Sequence, residues 1–203
     1  MKRLYRHAPK GDGSWALTFD DGPHPEITPR LLDVLDTHGA KATFFLLGES
    51  AERQPHLVDE IAVRGHFIAS HGYTHSRGLW RGPRALGHEI EAAESALRGL
   101  LSTPKFLRPP YGHLGPGWWL AARRHDYRVM LWDLGSKDFL TEDTAQITDR
   151  VVKRLSPGRI ALFHECRAGS DEGYRHTVVA VDSVLTAAAR LGLRTTTPNE
   201  WET

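Results

Sequence analysis

Residues 17–25 read Leu17-Thr-Phe-Asp-Asp-Gly-Pro-His-Pro25, an apolar run that ends at two adjacent carboxylates. Gly22-Pro23 is typical of a turn, so the sequence predicts a buried strand over Trp15–Asp20 that stops at the acidic doublet. Neighbouring side chains on a strand point to opposite faces, so Asp20 and Asp21 are expected to aim in different directions. The doublet therefore indicates two acids with separate roles.

Short apolar runs alternate with helical patterns along the rest of the chain. The apolar runs predict six further strands, at Ala42–Leu47, Phe67–Ser70, Lys105–Arg108, Tyr127–Leu134, Arg159–Phe163 and Leu193–Thr197. Helices are predicted from Thr28-Pro29 (as N-cap and first residue) to Gly39, from Pro55 to Gly65, from Pro83, from Asp143 to Leu155 and across Val178–Ala188. This alternation favours a parallel sheet covered by helices, as either an open doubly wound sheet or a barrel.

Composition limits the class of protein. The 203 residues include 40% hydrophobic and 25% charged residues, with a formal net charge of +1. These values predict one domain spanning residues 1–203, and we expect a monomer that binds neither nucleic acid nor membranes, because no basic block is present. The N-terminal residues carry no apolar signal segment, so the sequence taken literally predicts a cytoplasmic protein; a secreted or cell-wall-associated protein whose signal was removed would look the same.

Polar, reactive side chains follow five of the predicted strands. They are Asp20 and Asp21, His71 and His75, Arg108, Asp133 and Asp138, and His164. In both candidate architectures the carboxyl ends of the strands form the functional side. The sequence therefore predicts an active site at that face.

The pair His71 and His75 is a candidate metal site. On a helical turn, residues four apart place their side chains roughly 5–6 Å from each other, which suits two imidazoles on one ion. A lone pair of this kind is more often a surface or core feature. A carboxylate from Asp20 or Asp21 would complete a three-ligand set with an open water position, the pattern of catalytic zinc.

Five motifs occur in order between residues 18 and 164. They are TFDDGP at 18–23, SHGYTH at 70–75, RPPYG at 108–112, the segment from Trp132 to Asp138-Phe139, and LFH at 162–164. Together they resemble the polysaccharide deacetylase family, also called carbohydrate esterase family 4 or the NodB homology domain. The resemblance implies a single-domain distorted (β/α) barrel of about seven to eight parallel strands, which periodicity alone leaves undecided.

The resemblance also implies an activity and a ligand set. The expected reaction is removal of N-acetyl groups from N-acetylglucosamine-containing glycans, with chitin oligosaccharides or peptidoglycan as the acetylated partner. One divalent metal is expected on Asp21, His71 and His75, with zinc preferred and cobalt or nickel as alternatives.

Further roles follow from the same resemblance. Asp20 is expected to be the general base and His164 the general acid. Arg108 beside Asp20 would favour the charged carboxylate, and Asp138 near His164 would stabilise the imidazolium.

Substrate contacts are implied as well. The backbone N–H of Tyr111 is expected to contact the oxyanion, and Leu162 and Phe139 to wall the pocket for the acetyl methyl group. The family's late motif reads Asp-x-x-Asp-Trp, whereas this chain has Gly135-Ser-Lys-Asp-Phe139. This departure bears on substrate preference and removes neither a metal ligand nor the acid or base.

Two other functions are compatible with the same residues. One is an esterase that removes O-acetyl groups from acetylated xylan. The other is a catalytically silent sugar-binding module, although binding alone requires neither Asp20 nor His164. Three tryptophans, Trp80, Trp118 and Trp119, could stack on sugar rings, but packing in the protein interior is the favoured reading.

Overall fold

The structure is a computed structural model that describes residues 3–9, 13–78 and 81–201. Its strands are β1 (Leu4–Tyr5), β2 (Ser14–Asp20), β3 (Thr43–Leu46), β4 (Phe67–Ser70), β5 (Phe106–Leu107), β6 (Arg128–Met130), β7 (Leu134–Gly135), β8 (Ile160–His164) and β9 (Arg194–Thr195). Its helices are α1 (Ile27–Thr37), α2 (Gly48–Arg53), α3 (Pro55–Val63), α4 (Pro83–Ala96), α5 (Pro116–Arg124), α6 (Thr144–Val152) and α7 (Arg175–Arg190). None of these helices combines the length and the apolar character needed to cross a membrane.

The strands form a distorted (β/α) barrel, as predicted. Eight of them follow the order β1-β6-β5-β4-β3-β2-β8-β7, and β9 pairs with β2 outside that path. Every pairing is parallel. In the register, Asp20 lies opposite His164 on β8 and opposite Phe45 on β3. The carboxyl ends of the central strands therefore meet at one edge.

Strand β2 is buried along its whole length and packs on both faces. Trp15, Leu17 and Phe19 belong to the apolar cluster formed with helices such as α1 and α7, whereas Ala16 belongs to the cluster that contains Phe45. Burying one large apolar side chain stabilises a fold by about 1.5–3 kcal/mol. Because both faces of β2 are packed, the face toward which each of its side chains points is fixed.

Two predicted elements are wrong in detail. The strand predicted over Tyr127–Leu134 is two strands, β6 and β7, separated by three residues. Helix α1 begins at Ile27 with Glu26 as its N-cap, so Thr28 does not cap it. The Thr28 hydroxyl instead accepts the N–H of His24 at 2.8 Å.

Three short elements were not predicted. Strand β1 and helices α2 and α5 are each of nine residues or fewer. The two residues of β1 and the six of α2 are too few to establish a period in the sequence. Tertiary packing decides whether they form.

Candidate active site

The end of β2 lies between Asp20 and Asp21, as the sequence predicts. Asp20 is the last residue of the strand and follows Thr18 on the same face. Asp21 has a φ of 73°, in the left-handed region, so the chain leaves the sheet between the two acids. Each carboxylate consequently has its own surroundings.

Asp20 forms a buried ion pair with Arg108. The Arg108 Nη1 donates to Asp20 Oδ1 at 2.6 Å and to the Thr18 hydroxyl at 2.9 Å. The same guanidinium donates to the carbonyls of Met130 and Leu131, both at 3.2 Å, and is fully buried. Burial lowers the pKa of Arg108, and the charge of Asp20 opposes that shift. Arg108 engages Oδ1 of Asp20, whereas the other oxygen, Oδ2, lies 3.7 Å from His71 Nε2.

Replacing Arg108 with methionine is expected to lower the free energy of unfolding by about 3–5 kcal/mol, because the buried carboxylate of Asp20 would lose its counter-charge. Urea unfolding followed by circular dichroism measures the change. Arg53→Met is the matched control, since Arg53 pairs with Glu49 at an exposed i,i+4 position and its loss should cost less than about 1 kcal/mol. Equal losses in the two variants would contradict the structural role of the Arg108 pair.

Asp21, His71 and His75 converge on one point. The nitrogens His71 Nε2 and His75 Nε2 lie 3.4 Å and 3.3 Å from Asp21 Oδ1. Two atoms bound about 2.0–2.1 Å from one ion at tetrahedral angles lie about 3.3 Å apart. The His71 Nδ1 bonds to the Arg108 carbonyl at 2.8 Å, which leaves Nε2 as the free ligand atom. The spacing fits a small divalent cation.

The electrostatics of this trio also fit a cation. Asp21 Oδ1 is buried without a hydrogen-bond partner among the described residues, an unfavourable position for a carboxylate oxygen. Burial raises the pKa of Asp21, but the bond and charge of His71, together with the charges of His164 and His75, outweigh that effect, and the net pKa is lowered. Burial and the neighbouring His71 lower the pKa of His75 to about 4. The charges of Asp20 and Asp21 outweigh burial at His71 and raise its pKa, so the two acids draw positive charge to this point. An ionised carboxylate and a neutral imidazole are the forms that bind metal, so His71 would bind after losing its proton.

The two histidines do not share a helical turn, so that expectation is wrong. Residues 71–78 form a loop after β4, and His75 has a φ of 54°. The ring centroids nonetheless lie 5.1 Å apart. The loop turns back on itself and reaches the separation that a helical turn would have produced.

His164 and Asp138 form a second pair, in which Asp138 is buried and His164 is partly exposed. The His164 Nδ1 lies 2.8 Å from Asp138 Oδ1, and the His164 backbone N–H donates to Oδ2 at 2.7 Å. Burial would lower the pKa of His164, but the charge and hydrogen bond of Asp138 outweigh it and raise that pKa to about 9. Because Nδ1 is engaged, Nε2 is the nitrogen available to a substrate.

These groups line a single open cavity of about 860 Å³. Its wall also contains the three residues predicted to contact substrate, Tyr111, Leu162 and Phe139. Tyr111 and Phe139 are half-exposed at the rim, while Leu162 is buried. All of the predicted site residues except Arg108 therefore line this cavity, and Arg108 is fully buried behind it, where it bonds to Asp20.

Asp133 is the exception among the polar residues that follow strands, and its expected place at the functional face is wrong. Its Oδ1 accepts the backbone N–H of Ile160, the first residue of β8, and its Oδ2 pairs with Arg159 at 2.5 Å. His164 is the last residue of that strand, so Asp133 lies near the opposite end of β8. It cannot compensate for the acid missing at Gly135.

Sequence reasoning missed several supporting residues. The Thr177 hydroxyl donates to Asp138 Oδ2 at 3.0 Å, and no local pattern marks that threonine. Thr18 supports Arg108, and the period of two along β2 could have placed it beside Asp20.

Trp132 lines the cavity, whereas Trp118 is buried in the interior, as the packing interpretation held. Trp119 is half-buried and packs against the apolar cluster to which Trp118 belongs. Trp80 lies outside the described residues.

Glu165 is a buried carboxyl directly beneath the turn that follows the doublet. It bonds to the hydroxyl of Thr28, and burial raises its pKa to about 8. A Cβ on Gly22 would lie 1.8 Å from Glu165 Oε1, so only glycine allows this approach. The position therefore explains why the turn after Asp21 carries glycine.

Comparison with known proteins relates the chain to polysaccharide deacetylases. The sequence profile of the family described as polysaccharide deacetylase matches residues 7–130. A peptidoglycan-N-acetylglucosamine deacetylase of Bacillus cereus is 36% identical over 93% of this chain and 68% of its own length. A chitooligosaccharide deacetylase of Bradyrhizobium sp. is 31% identical over 90% of this chain and 87% of its own.

A solved structure gives the same result in three dimensions. The crystal structure of a peptidoglycan N-acetylglucosamine deacetylase superposes with a TM-score of 0.89 at 33% identity. The match covers 98% of this chain and 92% of that one. The similarity therefore extends over the whole barrel, including the segment with Asp138 and His164 that the family profile does not reach.

Proposed function

The chain belongs to the polysaccharide deacetylase family, and from that membership we propose that it is a metal-dependent hydrolase that removes N-acetyl groups from N-acetylglucosamine-containing glycans. One observation carries the proposal: a metal-ligand trio, a carboxylate held by arginine and an imidazole held by aspartate line the same cavity. Hydrolysis of an amide needs an activated water, a stabilised oxyanion and a proton for the departing amine. Each need has a candidate group here.

Asp21, His71 and His75 would hold the divalent metal, for which zinc is preferred and cobalt or nickel are alternatives. When bound, such an ion polarises the acetyl carbonyl and lowers the pKa of water. The unpartnered Asp21 Oδ1 supports this assignment, because a cation would satisfy it.

Asp20 would act as general base. Its Oδ1 is engaged by Arg108, so Oδ2 is the oxygen that accepts a proton from the attacking water. The water oxygen bonds to the acetyl carbon, and the oxyanion that forms would be stabilised in part by the backbone N–H of Tyr111.

His164 would act as general acid. Its Nε2 donates a proton to the amide nitrogen as the C–N bond breaks, so that acetate and the free amine of the sugar are the products. Asp138 holds the imidazole through Nδ1 and keeps it protonated. Leu162 and Phe139 would enclose the acetyl methyl group.

Asp138→Asn is expected to move the alkaline limb of the kcat/KM profile to lower pH by roughly one to two units. The active imidazole is protonated, so activity is lost as pH rises through the pKa of His164, which Asp138 raises to about 9. Rates of acetate release across the neutral and alkaline range measure the limb. Asp143→Asn, at the exposed N-cap of α6, should leave it in place. An unmoved limb in Asp138→Asn would contradict the assignment of His164.

The proposed function is tested by measuring acetate release from chitooligosaccharides, peptidoglycan and acetylated xylan in parallel. Each substrate is given to metal-stripped protein and to protein restored with zinc or cobalt. We expect release from at least one of the N-acetylated glycans and only with metal restored. Release from acetylated xylan alone would instead establish an O-acetyl esterase. No release from any substrate would overturn the enzyme assignment in favour of a silent sugar-binding module.

A further inference from the structure

One buried carboxylate, that of Glu89, accepts hydrogen bonds from the loop that carries both metal-ligand histidines. Glu89 lies on α4 and is only 8% exposed. Its Oε2 accepts the backbone N–H groups of Tyr73 at 3.2 Å and Thr74 at 3.0 Å. Its Oε1 accepts the Thr74 hydroxyl at 3.0 Å and Arg81 Nη1 at 2.8 Å. All of these partners are donors.

The carbonyls of the same loop are held from the other side. The N–H groups of Gly48 and Glu49, at the start of α2, donate to the carbonyls of Gly72 and Tyr73 at 3.0 Å and 3.2 Å. A Cβ on Gly48 would lie 2.5 Å from the Tyr73 ring, so α2 and the loop are in close contact. The segment between the two histidines is therefore clamped between α2 and α4.

His75 depends on this clamp more than His71 does. The His71 ring is oriented by its own bond to the Arg108 carbonyl. Within the described part of the chain, no hydrogen bond to a protein group orients the His75 ring, whose Nε2 lies 3.3 Å from Asp21 Oδ1 and whose ring packs against that of Tyr111 at 4.4 Å. The backbone of Thr74, the preceding residue, is then the main determinant of where His75 Nε2 points.

We propose that Glu89 is a positioning residue for the metal centre, fixing the loop between His71 and His75 and thereby setting the affinity for the divalent metal. The inference rests on the proposed function, in that it takes the trio to be a metal site. A glutamine at this position keeps the shape of the side chain but offers only one acceptor oxygen. Its NH₂ group would face donors, so the loop would lose bonds on one side.

Glu89→Gln in the full chain is expected to weaken zinc binding about 10- to 100-fold, the range seen when a group that orients a metal ligand is lost. Competition with a chromophoric chelator measures the Kd for Zn²⁺ after metal stripping. The absorption bands of bound Co²⁺ should also change, because they report the geometry of the ligands. Glu91→Gln is the matched control: it lies on the same helix, is exposed, and bonds to His88, so its Kd should stay within about twofold.

A second variant separates positioning from folding. Thr74→Val removes only the hydroxyl bonds to Glu89 and keeps the backbone N–H, so we expect a smaller loss of affinity. Combined with Glu89→Gln it should add little further loss, because both changes break the same contact.

The outcomes distinguish the two levels of inference. A wild-type Kd in Glu89→Gln, measured below its Tm, would overturn the positioning role and leave Glu89 as a purely structural residue. Failure of the wild-type chain to bind zinc, cobalt or nickel would overturn the metal site itself, and with it the proposed function. A weakened Kd in Thr74→Val supports the clamp even if Glu89→Gln does not fold.

Discussion

Replacing Asp20 with asparagine is expected to lower kcat for acetate release by about 10³-fold while the protein keeps its metal. A general base contributes roughly 10²–10⁴ to the rate, and the amide oxygen of asparagine can still accept a bond from Arg108. Zinc affinity should fall by no more than about tenfold, since a nearby negative charge is lost but no ligand. Steady-state kinetics with metal-saturated protein, together with the Kd for Zn²⁺, measure both effects.

Asp21→Asn is the matched control, because the two acids are adjacent in the chain and both are buried. Here zinc binding should weaken by at least about 100-fold, since a charged ligand is removed. Activity should fall with metal occupancy and recover in part at high zinc concentration. If Asp20→Asn lost zinc and Asp21→Asn retained it, the roles assigned to the doublet would have to be exchanged.

His164→Asn is expected to lower kcat on an N-acetylated glycan by about 10²–10⁴-fold, because the amine leaves poorly without a proton. The same variant should lose far less activity on an activated ester such as a nitrophenyl acetate, whose phenolate leaves unaided. The ratio of the two losses is the measurement. It separates a general acid from a residue that merely supports the fold, whose loss would affect both substrates alike.

A control for this ratio is Asp20→Asn, which should lower both activities, because attack by water needs the base whatever group departs. Equal losses in His164→Asn on the amide and on the activated ester would argue against proton donation by His164. They would favour a role for its imidazole in stabilising the oxyanion.

Much of the barrel was predictable because its long apolar runs are typical of buried strands and helix faces. The predicted strands around residues 15–20, 67–70 and 159–163 lie on β2, β4 and β8, and the helix predicted from Pro83 begins there. Of the two-residue strands, β5 and β9 lie within predicted strands, whereas β1 was not predicted and β7 was merged with β6. The run from Tyr127 to Leu134 is apolar enough for one strand, yet its first part pairs with β1 and β5 as β6, and its last residue pairs with β8 as part of β7.

The candidate site was predictable as a set of residues but less so as a geometry. The motifs name Asp20, Asp21, His71, His75 and His164, and all of them line the cavity. The helical turn expected for the two histidines does not exist, and residues such as Glu89 and Thr177 carry no local signal. Their roles depend on partners distant in the chain: Thr177 reaches Asp138, 39 positions away, and Glu89 reaches Thr74, 15 positions away.

From local pattern alone, the longer strands and helices could be placed, as could most of the reactive side chains at the strand ends and the break in the chain at the doublet. These depend on local physics: the alternation of a pleated strand, the turn after Asp21 and the apolar period of the helices. Tertiary structure alone decided which oxygen of Asp20 is occupied, how His75 reaches Asp21 without a helix, and that Asp133 lies away from the cavity. Each of these is a contact between segments far apart in the chain, and such contacts exist only once the parallel strands have brought those segments together.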